Sequence, residues 1–116
     1  MIEEINTFNS SQVRVAVTKR QGGFSVGSYS SFNLATHVQD DNSVVLKNRA
    51  LLSKVAKLPS EPLWLQQTHS NIVINQSDHF DNIEADGIWG RETGVVLAVL
   101  TADCLPVLFF QPNPLA

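Results

Sequence analysis

The chain has 116 residues, of which 43% are hydrophobic, 16% charged and 8% aromatic, so it has the composition of one ordinary globular domain and is neither disordered nor collagen-like. The net charge of −3 argues against binding of nucleic acid by electrostatic attraction alone. The single cysteine, Cys104, excludes an internal disulfide and favours a reducing compartment. The start of the chain lacks the basic and apolar regions of a signal peptide, and no apolar stretch is long enough to span a bilayer. We therefore expect a cytoplasmic protein without membrane contact.

The first half of the chain predicts one strand, a glycine turn and one helix. Valines alternate with other residues over 13–17, which is the pattern of a half-buried strand, and a turn with two glycines follows at 19–23. N-cap residues at 40–43 precede a helix predicted over 43–57, which two prolines close. The apolar face of this helix is predicted to consist of Val44, Leu51, Val55 and Leu58.

The second half predicts three apolar strands separated by polar loops. The strands cover 63–65, 73–74 and 95–100, and the polar, acidic segment 77–84 is a predicted loop. The strand at 95–100 is continuously apolar, which is typical of a central strand buried on both faces. Residues 105–110 are apolar again. These patterns together predict a mixed α and β fold.

Two polar positions follow predicted strands and could bind a metal ion. His69 follows the strand at 63–65, and Cys104 follows the strand at 95–100 together with Asp103. Thiolate and imidazole both suit zinc or copper, although their spacing is no local metal motif. An inert buried cysteine and an ordinary surface histidine remain alternatives. A Cys–His nucleophilic pair ranks below metal binding, because no helix N-terminus that would lower the thiol pKa is predicted near Cys104.

Arg20 lies in the turn that contains Gly22 and Gly23. A guanidinium and the N–H groups of a glycine turn together suit phosphate. The segment is not a nucleotide P-loop, and a plain strand-to-loop turn is the alternative interpretation.

An ordered set of segments resembles one family, the YfiH-type proteins, which are described both as multicopper polyphenol oxidase (laccase-domain) proteins and as purine nucleoside phosphorylases. The matching segments are Arg20–Ser25, Phe32–Asp41, Trp64–His69, Ala85–Gly87 and Leu100–Leu108. Each is weak alone, but their order and spacing are specific. The resemblance covers about the N-terminal half of the family, so it implies a single partial domain over 1–116 without the family's C-terminal half.

The resemblance implies an α/β (mixed α+β) fold with a central mixed sheet and flanking helices. It also implies a metal site, usually occupied by zinc, with copper as the alternative. The matching ligands here are His69 and Cys104, and the family's further histidine lies in a later His-Ala-Gly-Trp segment that is not in this sequence. Thr68 and Ser70 depart from the family's usual residues and flank His69, so they could alter its orientation.

The implied function is zinc-dependent purine nucleoside chemistry: phosphorolysis of adenosine, inosine and methylthioadenosine, and deamination of adenosine. Purine nucleoside and phosphate are the implied partners, with no nucleic acid. A zinc-bound water could attack a purine carbon. Membership of the motifs assigns Asp103 and Arg20 to catalysis. It assigns Asn33, His37 and Gln67 to substrate binding.

Three other functions stay open. The chain could be a non-catalytic fragment, either truncated or completed by a second chain, and its apolar strands favour self-association. A copper-dependent polyphenol oxidase is the second alternative, although three histidines, one cysteine and Met1 as the single methionine exclude a full multicopper centre within this chain. A peptidoglycan-precursor editing hydrolase, like some members of the family, is the third.

Overall fold

The computed structural model describes residues 2–5, 13–36, 38–101 and 104–111. These residues form four short strands, one α-helix and two 3-10 helices, which confirms the expected mixed α/β class. In chain order they are β1 (Ile2–Ile5), β2 (Val15–Thr18), the 3-10 helix Gly27–Tyr29, α1 (Asn42–Ala56), β3 (Val73–Asn75), the 3-10 helix Gln76–Asp78 and β4 (Gly87–Trp89). Within the described residues, no helix combines the length and apolar character that a membrane crossing requires.

Strands β1 and β2 pair antiparallel, with Ile2 opposite Thr18 and Ile5 opposite Val15. The valine alternation therefore predicted the β2 strand correctly. An exposed ion pair joins the two strands, in which the Arg14 Nε atom lies 2.7 Å from a Glu4 carboxylate oxygen.

Helix α1 begins and ends within one residue of the predicted bounds. Its N-cap is Asp41, whose carboxylate accepts a hydrogen bond from the Ser43 backbone N–H at 2.9 Å and satisfies one of the free donors of the first turn. At the other end Lys57 adopts a left-handed conformation with φ of 53°, and its N–H caps the Ser53 carbonyl.

The buried face of α1 differs from the prediction. Val45, Asn48 and Leu52 are buried, whereas Val55 is 43% exposed. Asn48 is completely buried, accepts a hydrogen bond from the Phe24 N–H at 2.7 Å and donates to the Ser25 hydroxyl at 2.9 Å. Leu51 and Leu58 of the predicted face do pack against the core. Because a polar residue lies at the centre of the buried face, however, a pattern read from apolar residues alone misplaces that centre.

The glycine turn packs directly on this buried amide. A Cβ atom at Gly23 would lie 2.6 Å from the Asn48 Oδ1 atom and 2.7 Å from the Phe32 Cα atom, which is too close for any side chain. Glycine is therefore required at position 23 by close approach to the helix and not by an unusual φ.

The apolar core lies between α1 and the segments on either side of it. Its buried centre consists of Phe32, Leu34 and Leu52. Partly buried residues from both halves of the chain pack against that centre, namely Ile2, Leu51, Ala56, Leu58, Trp64 and Leu100. The core thus joins the sheet of β1 and β2 to the second half of the chain.

Four extended segments of the second half lie side by side in parallel. β3 pairs with β4 from Val73 opposite Gly87 onward, and isolated bridges join Gln66 to Glu84 and Leu63 to Leu97. The order across this parallel row is 95–100, 63–67, 83–89 and 72–75. Within the described residues the regular sheets are two two-stranded ones, β1 with β2 and β3 with β4, and the strand predicted at 73–74 is confirmed.

The prediction that segment 95–100 is a strand buried on both faces is wrong for this structure. The side chains of Leu97 and Val99 are 38% and 43% exposed, and the segment makes one bridge. Within the described residues it lies at the end of the parallel row, with a neighbouring segment on one side. Beyond it, Leu105 and Phe109 are 85% and 91% exposed. Apolar composition predicts burial only where other segments supply the cover.

Replacing the buried amide tests the first half of the fold. We expect Asn48→Ala to lower the free energy of unfolding by roughly 1–3 kcal/mol, because the Phe24 N–H and the Asn33 carbonyl lose their partner. Urea unfolding followed by circular dichroism measures this change. The exposed neighbour Lys47→Ala is the control and should stay within about 0.5 kcal/mol of the parent chain. Equal stability of the Asn48→Ala and Lys47→Ala variants would contradict the conclusion that the buried Asn48 amide stabilises the fold.

The exposed apolar side chains after residue 104 predict self-association. We expect light scattering on a size-exclusion column to give a mass above that of the monomer, because large exposed apolar patches recruit other chains. The double substitution Leu105→Ser with Phe109→Ser should shift the mass toward the monomer. Val26→Ser, at another exposed apolar side chain, is the matched control and should leave the mass unchanged. A cooperatively melting monomer of the parent chain would contradict the prediction.

Candidate functional site

The turn that carries His69 wraps around one carboxylate. The backbone N–H groups of Thr68, His69 and Ser70 all donate to Asp86, at 3.1, 3.0 and 2.8 Å, and the Ser70 hydroxyl donates to the same group at 2.7 Å. Three consecutive amides that converge on one anion form a backbone nest. The backbone around His69 is therefore fixed by the side chain of a residue on another segment.

His69 has a left-handed backbone conformation with φ of 61°. This conformation costs a residue other than glycine roughly 1–2 kcal/mol, so it persists only where the surroundings enforce it. The four hydrogen bonds to Asp86 supply that enforcement.

Asp86 is itself held in place at the start of β4. Its N–H donates to the Ile72 carbonyl at 3.0 Å, and its neighbour Ala85 is completely buried. The hydrogen bond from the Ser70 hydroxyl, followed by those from the backbone N–H groups of the turn, lowers the pKa of the Asp86 carboxyl from 3.8 to about 2. The group is thus a stable anion at neutral pH.

Gln67 joins the His69 segment to the segment that leads to Cys104. Its amide oxygen accepts from the Leu100 N–H at 2.7 Å, and its amide nitrogen donates to the Leu100 carbonyl at 2.8 Å. The side chain thereby replaces a pair of strand hydrogen bonds at the edge of the parallel row. This tethering was not anticipated for Gln67, and its predicted role in substrate binding stays a prediction.

The two predicted metal ligands both lie at the surface. The side chains of His69 and Cys104 are exposed, and among the described residues none donates to or accepts from the His69 imidazole. An imidazole and a thiolate suit zinc, so this donor set fits the metal, but zinc takes at least three protein ligands. No group of three or more metal-binding side chains occurs within the described residues. Asp103 and His37 lie outside those residues.

The turn predicted to bind phosphate uses its glycine amides internally. The N–H groups of Gly22 and Gly23 donate to the Ser31 hydroxyl at 2.9 and 3.2 Å. Arg20 is exposed, and its Nε atom donates to the Ser30 carbonyl at 2.8 Å. Anion binding at this turn would therefore rest on the guanidinium of Arg20 and not on the glycine amides.

Asn33, one of the predicted substrate-binding residues, belongs to a polar network near the same turn. Its amide nitrogen donates to Asp40 at 3.1 Å, and its amide oxygen accepts from the Ala35 N–H at 3.1 Å. Ser25 donates to the same carboxylate oxygen of Asp40 at 2.6 Å. Hydrogen bonds from Ser25 and then Asn33 lower the pKa of the Asp40 carboxyl. The network joins the middle of the loop between β2 and α1 to the residues just before the helix.

A groove of about 670 Å³ lies beside α1 and was not anticipated from the sequence. Arg49 and Trp64 line it, and the Arg49 guanidinium lies 4.1 Å from the centre of the Trp64 ring. The Arg49 Nε atom also donates to the Leu34 carbonyl at 2.9 Å. His79 contributes to the groove and lies 2.7 Å from the Trp64 carbonyl. No local sequence motif predicts this groove, because its residues come from segments distant in sequence.

Asp86 is the other residue whose role was not anticipated. The segment Ala85–Gly87 is part of the family resemblance, but an isolated aspartate before a glycine has no distinctive chemistry. Two sequence features could have pointed to Asp86. It belongs to the ordered motifs, and the turn contains the polar residues Thr68 and Ser70, which depart from the family's usual residues.

Comparison with known proteins defines the class. Residues 14–115 match the family described as multi-copper polyphenol oxidoreductase laccase, and the chain belongs to this family. Among curated relatives, the purine nucleoside phosphorylase of Haemophilus influenzae is 45% identical over 97 residues, which cover 84% of this chain and 40% of the relative. The purine nucleoside phosphorylase YfiH of Escherichia coli is 40% identical and is covered to the same extents. The chain thus spans about 40% of the length of these relatives, and the YfiH-type resemblance is confirmed.

Two crystal structures share the fold. A Neisseria meningitidis protein superposes with a TM-score of 0.73 at 36% identity, covering 82% of this chain and 39% of that protein. YlmD from Geobacillus stearothermophilus superposes with a TM-score of 0.66 at 29% identity, covering 73% and 36%.

Acid should weaken the turn around His69. The pKa of Asp86 is lower in the folded chain than in the unfolded chain, so its contribution to stability is complete above about pH 4 and is lost as the pH falls toward 2. We expect Asp86→Asn to reduce the decrease in unfolding free energy across this interval, as measured by urea titrations at several pH values. Asp78→Asn, at an exposed carboxylate, is the control and should retain the parent's pH dependence. Identical pH profiles for Asp86→Asn and the parent would contradict the prediction.

Proposed function

We propose that this chain carries part of the active site of a cytoplasmic, zinc-dependent purine nucleoside phosphorylase that also deaminates adenosine. The supporting observation is that curated relatives named purine nucleoside phosphorylase match 83–85% of the chain at 37–45% identity. The proposed substrates are adenosine, inosine and methylthioadenosine, with phosphate as the second substrate.

His69 and Cys104 are the residues that would hold the zinc ion, with a further histidine from the part of the family that follows the matched region. When bound, zinc supplies a Lewis acid that activates water near neutral pH, which is the chemistry that deamination needs. The exposed imidazole of His69 on its fixed turn and the tether between Gln67 and Leu100 both support this assignment.

Phosphorolysis places a different demand on the site. A phosphate oxygen attacks the anomeric carbon of the ribose, the glycosidic bond breaks, and the purine leaves after it gains a proton. In our proposal Arg20 binds the phosphate with its guanidinium, and Asp103 supplies or orients the proton. Asn33, His37 and Gln67 contact the nucleoside. The amides of Asn33 and Gln67 already bind protein groups, so they would contact substrate with their remaining hydrogen-bonding capacity.

A matched pair of proteins tests the proposal. The first is this chain, and the second is this chain fused to the portion of the Haemophilus influenzae relative that follows the matched region. Each is loaded with zinc and incubated with inosine or adenosine, with and without phosphate, and the free base and ammonia are quantified by chromatography. We expect phosphate-dependent release of base from the fusion and negligible turnover by the chain alone. A fusion that folds, binds zinc and releases neither product would overturn the proposal and favour a non-catalytic role.

Copper-dependent oxidation of polyphenols is a second candidate, because the family description names it. A single copper ion bound by His69 and Cys104 with residues from outside this chain would be its centre. The same two proteins loaded with copper and supplied with a phenolic substrate and oxygen distinguish the candidates. Oxidation without any phosphorolysis would favour this second function.

Replacing Arg20 tests phosphate binding. In the fusion we expect Arg20→Ala to raise the KM for phosphate about 10-fold or more, because a charge-assisted contact is lost, with a smaller effect on the KM for inosine. Steady-state kinetics with varied phosphate measures this. Arg91→Ala is the matched control, since Arg91 is an exposed arginine 6.0 Å from the Trp89 ring. A large fall in the melting temperature of Arg20→Ala with unchanged kinetics would show that Arg20 is structural.

A further inference from the structure

We propose that Asp86 is a positioning residue for the metal site: its carboxylate holds the backbone of His69 in the conformation that presents the imidazole to the ion. This inference rests on the proposed function, because it takes His69 as a metal ligand. It adds a role for a residue that would not touch the metal or the substrate.

The first support is the distribution of hydrogen bonds over the two carboxylate oxygens. Oδ1 accepts from the Thr68 N–H, the Ser70 N–H and the Ser70 hydroxyl, whereas Oδ2 accepts from the His69 N–H alone. One oxygen therefore closes the turn, and the other binds the backbone of the candidate ligand. The second oxygen thus adds a contact to the backbone of the candidate ligand itself.

The second support is the residue type at the left-handed position. Glycine or asparagine adopts a φ near 60° with less strain than histidine does. The sequence nevertheless places histidine there and leaves its imidazole exposed, without a hydrogen bond to any described residue. Strain that is retained at a residue with a free ligating side chain indicates that the side chain is needed in that orientation.

The third support is that Asp86 is anchored independently of the turn. The N–H groups of Asp86 and Gly87 both donate to the Ile72 carbonyl, at 3.0 and 3.2 Å, and Gly87 begins the strand that pairs with β3. The Asp86 carboxylate thus fixes the His69 backbone relative to the parallel row. Gln67, two residues before His69, is bonded to the Leu100 backbone in the segment on the opposite side of the row. The residues around His69 are therefore held by contacts from both neighbouring segments.

Zinc titration of the 116-residue chain tests the inference. The imidazole resonances of His69 are followed by NMR while zinc is added at one neutral pH, which measures weak as well as tight binding. We expect Asp86→Ala to weaken zinc binding about 10- to 100-fold, which is the usual effect of losing a group that orients a ligand. Asp86→Asn should have a smaller effect, because its amide oxygen can keep the three bonds of Oδ1, whereas an amide nitrogen facing the His69 N–H cannot accept.

Two controls separate positioning from general destabilisation. Asn48→Ala destabilises the chain at a distant site and should leave the zinc affinity of the folded protein unchanged. His69→Gly removes the ligand but suits the left-handed position, so it should abolish the zinc-induced shifts of the backbone amide resonances of Thr68 and Ser70 without lowering the urea midpoint. Cobalt in place of zinc adds an independent readout, since a sulfur-to-cobalt absorption band that disappears in Cys104→Ala identifies the thiolate as a ligand.

The outcomes distinguish this inference from the proposed function. If zinc shifts His69 and Asp86→Ala weakens that response while Asn48→Ala does not, the positioning role is supported. If zinc binds through His69 and Cys104 with an affinity that Asp86→Ala leaves unchanged, Asp86 is merely structural and only the inference fails. If millimolar zinc leaves the His69 resonances unchanged and cobalt gives no sulfur-to-cobalt band, the metal site itself is misplaced, and the inference fails with it.

Discussion

The carboxylate of Asp86 is the interaction on which the candidate site depends. It accepts four hydrogen bonds from a turn of three residues and is anchored through its own backbone to the segment that leads into β3. The bonds are charge-assisted and therefore stronger than bonds between neutral groups. They hold the backbone of the turn in which His69 has a left-handed conformation. The backbone of the candidate metal ligand is thus held by the side chain of a residue on another segment.

Polar side chains perform comparable tasks elsewhere in the chain. Gln67 binds the backbone of Leu100 through both ends of its amide, and Asn48 binds the backbone of Phe24 and Asn33 from the centre of a buried helix face. Ser31 does the same for the two glycines of the turn. The regular strands are only three or four residues long, so side chains provide bonds between segments that longer ladders provide in larger sheets. These polar residues fix the fold as much as the small apolar core does.

The parallel row ends at a segment whose apolar side chains are exposed. This segment precedes Cys104, and the chain spans about 40% of the length of its curated relatives. In our proposal the part of the family that follows the matched region supplies the additional metal ligand.

The sequence by itself determined the class of fold, the family, the helix and two of the strands. These features depend on local patterns: valine alternation at β2, the Asp41 cap of α1, and an ordered set of motifs that matches the family. Only the tertiary structure decided which face of α1 is buried, that Leu97 and Val99 are exposed, and that Asp86 binds the backbone of His69. The physical reason is that each of these results depends on a contact between segments distant in the chain. Burial requires a covering partner, and a carboxylate becomes an anchor only when folding brings three backbone amides to it, so no local pattern contains either fact.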